Sequence, residues 1–206
     1  MEFDNDEKLK AINEYVKEKL SEKRYNHSIA VMNRAVELAK LYGANEKDCM
    51  YAGLIHDVAK EVPKNQCLLL AEELGVALDE IEKNNLLLVH AKIGAYIAKK
   101  RFNLSDEICD AVRTHTTACA NMTLLQKIIY IGDYTSADRD YDVAKEAYKI
   151  VVNDLDEAIL FALKSTFIDL LDRKILIHPD SNAAYNYLIM EKIKNKKETN
   201  WSLFFL

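Results

Sequence analysis

His56 and Asp57 stand side by side in the stretch Gly-Leu-Ile-His-Asp-Val-Ala-Lys (53–60). A neutral imidazole and a carboxylate so placed can bind one borderline metal ion. A His-Asp pair alone is common by chance. Here it is joined by His27 upstream and by His90, His115 and Asp133 downstream. Each of these four falls where a helix can turn it inward. In the order His…His-Asp…His…His…Asp, the set reads as a one- or two-metal hydrolytic centre inside a helical bundle.

Helical spacing supports that reading. His27 shares a face with Ala30, Val31 and Ala35, and His90 with Gly94 and Ile97. His115 follows Ile108 and Val112, and Asp133 follows Leu125 and Ile129. Each polar residue replaces a core residue on an apolar face. A buried carboxylate needs a compensating charge and a buried imidazole needs partners; a metal satisfies both. A lone histidine on such a face is more often a hydrogen-bonded core residue, and a lone aspartate at a helix end a cap. The argument therefore rests on the set: of five histidines only His178, beside Pro179 in a turn, falls off an inward face.

Imidazole and carboxylate donors suit iron, manganese, zinc, nickel or cobalt, as divalent ions or ferric iron, better than calcium. Two such ions would sit about 3.5–4 Å apart and acidify a bridging water. No Ser-His-Asp arrangement or G-x-S-x-G elbow offers a rival nucleophile. Lys60, one turn after the pair, Arg24, three residues before His27, and Arg139, six after Asp133, are candidate phosphate-binding cations. Ordinary surface charge is an equal alternative for Arg24 and Arg139.

The elements that must position these residues are helices. At 206 residues the chain suits one domain with a tail, and half of it is hydrophobic. Five Gly and two Pro are too few for a many-turned β fold. The periodicity predicts helices over Lys8–Leu20, from a cap at Asn26 to Leu41, and over Asn45–His56. Others follow near Asn65–Leu74, over Ile81–Asn84 capped by Asp79, and over Leu87–Phe102. Ser105 caps Asp106–Thr116, and Thr123 caps a helix through Tyr134. Asp142–Asn153, Leu155–Leu171 and Asn182–Lys194 complete the set. Ser136–Tyr141 reads as an exposed charged loop, and Trp201–Leu206 as an apolar end that docks on the same chain, the blander option, or on a partner chain.

The net charge of −5 offers no basic face, which argues against an extended nucleic acid as partner. A small phosphorylated substrate stays open. Cys49, Cys67, Cys109 and Cys119 form no C-x-x-C pair and read as buried thiols of a reducing compartment. The N-terminus shows no cationic stretch followed by an apolar run, and no run approaches the length of a membrane span. The expectation is a cytoplasmic protein without membrane partners; a homodimer is left open.

The motifs Arg-Tyr-Asn-His-Ser (24–28), Ala-Gly-Leu-Ile-His-Asp-Val-Ala-Lys (52–60), His-Ala-Lys-Ile-Gly-Ala (90–95) and His-Thr-Thr-Ala-Cys-Ala-Asn-Met (115–122) go further. With Leu125–Asp133, Arg139-Asp140 and Ile-His-Pro (177–179), they resemble the HD-domain metal-dependent phosphohydrolases, and within them the YqeK family of symmetrical diadenosine-tetraphosphate hydrolases. The resemblance spans about residues 24–186 and implies an all-α HD-domain bundle as a single domain, with residues 192–206 as a tail. It implies the metal ligands His27, His56, Asp57, His90, His115 and Asp133, with iron as the usual metal. The implied reaction splits diadenosine tetraphosphate into two ADP by attack of a metal-bound hydroxide. Asp57, Lys60 and His115 would be the catalytic residues, His115 assisting the leaving group; Arg24, Lys60 and Arg139 would bind substrate phosphates. Two departures stand out: Ala118 replaces a glycine, and Thr135-Ser136-Ala137 replaces Ile-Glu-Pro. These keep two alternatives in view, another nucleotide phosphohydrolase (a nucleotidase or guanosine-polyphosphate hydrolase) and a weakly active nucleotide sensor.

Overall fold

A computed structural model describes residues 6–202, with side chains as far as Lys196. It contains, among the described residues, eleven helices and no strand. They are α1 (Glu7–Lys19), α2 (Glu22–Tyr42), α3 (Glu46–Ile55), α4 (Lys64–Glu73), α5 (Glu80–Asn84), α6 (Val89–Phe102), α7 (Asp106–Thr114), α8 (Leu124–Tyr134), α9 (Asp142–Val151), α10 (Leu155–Asp172) and α11 (Pro179–Ser202). None of the described helices is long and apolar enough to cross a membrane.

Side-chain caps decide most helix starts. Asn45 accepts from the backbone N–H of Lys47 and Asp48, Ser105 from Ile108, and Thr123 from Gln126 in a capping box. The start of α2 differs from expectation. Ser21, not Asn26, caps it by accepting from Arg24 N–H, so His27 lies in the second turn with Asn26 exposed beside it. The helix ends at Gly43, whose φ of 74° is the left-handed conformation that glycine adopts without strain.

The last helix is also longer than expected. It begins at Pro179, whose missing N–H costs nothing in the first turn, and continues to Ser202 through the stretch read as a tail. His178 just before it is buried rather than in an open turn. Its Nε2 lies 2.8 Å from Asp79 Oδ2, and its Nδ1 accepts from Asp180 N–H. The expected docking of Trp201–Leu206 concerns side chains outside the described residues.

Helix α2 packs on α3 and α8, α3 also on α1 and α7, and α10 on α8 and α9. Ile12, Met32, Leu38, Leu54, Ile55, Ile128, Ile159 and Leu163 are fully buried between them. The α2–α3 crossing is unusually close. A Cβ on Gly53 would lie 2.8 Å from Met32 Cα, so only glycine fits there. That approach brings the second turn of α2 to the end of α3, where His56 sits. A Cβ on Gly94 would likewise meet the His56 carbonyl at 3.3 Å, which sets α6 against the same point.

Candidate metal centre

The six residues singled out in the sequence converge on one buried place. His56 is the C-cap of α3 and His115 that of α7; His90 lies in the first turn of α6, and Asp133 in the last turn of α8. His27, His56, Asp57, His90 and His115 are all buried. After His56 the chain runs through tight turns, Val58 N–H donating to Ile55 O and Lys60 N–H to Asp57 O. Such i→i+3 turns bring side chains three apart to one side. Lys60 Nζ accordingly stands 3.8 Å from Asp57 Oδ1 and 3.2 Å from His90 Nε2.

The hydrogen bonds fix how three of the rings point. Nδ1 of His56, His90 and His115 each lies 2.7 Å from a carbonyl, of Gly53, Leu87 and Val112 respectively. A carbonyl only accepts, so each Nδ1 carries the hydrogen and each neutral ring presents its Nε2 lone pair. Burial pushes His56 and His90 down to about 4, which keeps both neutral at pH 7. The Asp57 carboxyl is held well below the usual carboxylate range: burial works against this, and nearby positive charge, that of Lys60 included, overcomes it.

These facts leave a group of acceptors facing one another. His90 Nε2 and His115 Nε2 are 3.1 Å apart and lie 3.0 and 3.4 Å from Asp57 Oδ1. His27 Nε2 lies 3.0 Å from Asp133 Oδ1. Nε2 of His27, Nε2 of His56 and Oδ1 of Asp57 are buried with no hydrogen-bond partner. Lone pairs and carboxylates gathered this closely repel, and buried polar atoms without partners are costly. A cation bound among them removes both penalties, so the donor set fits a metal. Three overlapping triplets have their ligand atoms within 4.8 Å of one another: His27–His56–Asp57, His56–His115–Asp133 and Asp57–His90–His115. A fourth triplet, Asp79–Glu82–His178, is already satisfied. Asp79 and Glu82 form a capping box, His178 lies against Asp79, and Lys92 donates to Glu82 at 2.6 Å.

The three cations lie half-exposed around this centre. Arg24 Nη1 donates to Asp57 Oδ2 at 3.0 Å. Arg139 donates through Nε to the Asp133 carbonyl and through Nη2 to Asp133 Oδ1 at 2.6 Å. The Asp133 carboxyl is held far below its ordinary value; burial raises it, and the His27 contact and the Arg139 charge prevail. Beyond Arg139 a cleft of about 420 Å³ opens between the 135–140 loop and α9, lined also by Lys145 and Tyr148. The charged 136–141 loop is exposed, as expected, at Ala137, Asp138, Asp140 and Tyr141, but it is anchored from within. Thr135 and Ser136 are buried, and Asp138 reaches inward to place Oδ2 2.8 Å from His27 Nδ1. Sequence reasoning missed Asp138, because an aspartate in a charged loop carries no periodic signal.

Residues 24–138 match the family pattern described as HD domain, which is more than half of the chain. The chain belongs to the HD-domain family. The chain is 36% identical over 177 residues to the symmetrical bis(5'-nucleosyl)-tetraphosphatase of Bacillus subtilis, covering 84% of this chain and 94% of that protein. It is 38% identical to the protein of the same name from Halalkalibacterium halodurans, over 86% of this chain and 95% of the relative. The crystal structure of a predicted HD superfamily hydrolase involved in NAD metabolism from Clostridium acetobutylicum superposes with a TM-score of 0.85. It is 34% identical, over 88% of this chain and 97% of that one. Within this HD domain, the alanine that departs from the family motif is strained. Ala118 is fully buried at φ 59°, in the turn after α7 that its N–H closes onto the Thr114 carbonyl.

Proposed function

We propose that this protein is a metal-dependent hydrolase that splits diadenosine tetraphosphate symmetrically into two ADP. The observation that carries the reading is the set of partnerless, buried acceptor atoms on His27, His56 and Asp57, in a chain that aligns over nearly the whole length of relatives bearing that activity in their names. The metal ligands in this reading are His27, His56, Asp57, His90, His115 and Asp133. Asp57 faces His27 and His56 with Oδ2 and His90 and His115 with Oδ1, so both of its oxygens would be available to hold metal. Iron is the metal of choice, and the cytoplasm, in keeping with four free cysteines, is the setting.

Local charge explains how an acidic protein takes a polyphosphate. Arg24, Lys60 and Arg139 match Asp57, Asp133 and Asp138 in number, and the imidazoles count as neutral. The metal charge is then left over for phosphate. Bound metal supplies an acidified water as nucleophile and neutralises phosphate charge. In the hydrolysis a water oxygen would bond to a phosphorus next to the central bridge as the bond from that phosphorus to the bridging oxygen breaks, and the proton the water loses would pass to solvent. The departing oxygen leaves as ADP, a stable anion that needs little protonation. Lys60 and the outer N–H groups of Arg24 and Arg139 hold phosphate oxygens as charge builds. His115, whose Nδ1 hydrogen is held by the Val112 carbonyl, serves through Nε2 as a ligand, so the leaving group relies on Lys60 and the arginines, and the cleft beyond Arg139 receives a nucleoside end.

The test is anaerobic, iron-reconstituted protein given diadenosine tetraphosphate, with products separated by anion exchange. ADP as the sole product is expected. AMP with ATP would move the attack to another phosphorus and refute symmetrical cleavage. No product from protein with metal bound would refute the substrate.

A further inference from the structure

Three of the four inward-pointing histidines satisfy Nδ1 on their own chain, three residues back. His56 and His115 can do so because they stand at helix C-termini, where carbonyls lack intrahelical donors, and His90 because the Leu87 carbonyl precedes α6. His27 cannot. It lies inside α2, where the neighbouring carbonyls serve the helix, so its Nδ1 needs a partner from elsewhere in the fold.

That partner is Asp138, reached across 111 residues at 2.8 Å. The loop that delivers it is tied down at several points. Ser136 Oγ donates to Asp138 Oδ1 at 2.7 Å, and Arg139 N–H closes the turn on the Ser136 carbonyl at 2.9 Å. Thr135 Oγ1 donates to the Ile131 carbonyl and accepts from the buried Arg34. Arg139 grips the end of α8 through Asp133. The segment that departs from the Ile-Glu-Pro pattern therefore still sets a carboxylate against the centre.

We propose that Asp138, steadied by Ser136, is a positioning residue that holds the His27 ring with Nε2 turned to the metal and strengthens it as a ligand. The inference rests on the metal reading above. A carboxylate facing Nδ1 can only accept, so His27 keeps its hydrogen there and its lone pair on Nε2, between Asp57 and Asp133. A carboxylate partner also makes an imidazole a better donor than a carbonyl partner does, and outer partners of this kind typically contribute 10–100-fold in metal affinity. His27 is thus the one ring whose ligand strength is set by a charged residue from a loop.

The experiment loads cobalt(II) into wild type, D138N, D138A, S136A and D57A. Affinity is read by competition with a chelator, and geometry by visible absorption of the bound ion. D138A should bind roughly 10–100-fold more weakly with an altered spectrum. D138N, which keeps an acceptor oxygen but not the charge, should fall between D138A and wild type, and S136A should lose less than D138A. Wild-type affinity and spectrum in both Asp138 variants, with binding lost in D57A, would overturn the role of Asp138 alone. Equal binding by wild type and D57A would instead overturn the metal reading on which it rests. Asp138 is on the surface of a loop, and D138N is close to isosteric, so weaker cobalt binding in a variant with an unchanged melting profile cannot be assigned to misfolding.

Discussion

The two sides of the centre are built differently. On one side, His56, His90 and His115 sit at the ends of α3, α6 and α7, with each ring held by its own backbone and with glycines 53 and 94 closing the gaps behind them. On the other, His27 and Asp133 depend on a short polar loop, through Asp138, Ser136 and Arg139. The helical side fixes geometry through packing, where a single added carbon is felt. The loop side fixes it through charge, with Asp138 against His27 and Arg139 against Asp133. Of the two departures from the motifs this sequence resembles, 135–137 falls on the loop side and Ala118 in the turn after α7 on the helical side, while all six candidate ligands are kept.

The sharpest way to break this contrast is D57A. Asp57 belongs to both sides, bonded to Arg24 and facing four imidazoles. Its loss should abolish metal and activity together, by well over the roughly 100-fold that loss of an outer partner gives. Activity retained in metal-free D57A would sink the hydrolase reading. G53A tests the packed side. A Cβ 2.8 Å from the Met32 backbone forces α2 and α3 apart, and the expected cost is about 2–3 kcal/mol in urea unfolding. A neutral G53A would show that the crossing is not close-packed.

The pH dependence of the metal-free protein follows from the rings. His56 and His90 drop to about 4 on folding, from 6.5, because burial disfavours their charged forms. The unfolded chain therefore takes up protons first, and stability should fall as pH is lowered from about 6.5 to about 4. His27 acts in the opposite sense: burial lowers its pKa, but the Asp133 contact outweighs this and raises it above 6.5. Its contribution is full below 6.5 and is lost as pH rises further. Urea midpoints of chelator-treated protein should thus peak near pH 6.5, and a midpoint that climbs steadily towards pH 4 would contradict the neutral-ring assignment. The smallest effect is A118G. The left-handed backbone at Ala118 costs about 1–2 kcal/mol, and glycine's extra unfolded-state entropy offsets part of that. A net gain of about 0.5–1 kcal/mol is expected by thermal unfolding; no gain would mean the turn relaxes around alanine.

The helical side was far more legible in the sequence than the loop side. Caps at Asn45, Ser105 and Thr123 are local, so their residues announce the helices they start. His27, His90, His115 and Asp133 stand out because each interrupts an apolar face. Asn26 misled because it is a good capping residue, yet Ser21 stands earlier and takes the cap. The early start of α11 was hidden by reading Pro179 as a boundary when it is the first helical residue. Asp138 and Ser136 had no sequence signal, since their partner His27 is more than a hundred residues away and the loop's charge looks like solvation. His178 was taken for a turn residue for the same reason: Asp79, its partner, is remote in the chain.

Arg24 and Arg139 are each bonded to a carboxylate of the centre while remaining half-exposed on its open side. A phosphate that takes up their remaining N–H groups draws on the same positive charge that steadies Asp57 and Asp133. Nucleotide and metal are then thermodynamically coupled through two shared side chains. By reciprocity, whatever factor a bound nucleotide applies to metal affinity, the metal applies to nucleotide affinity.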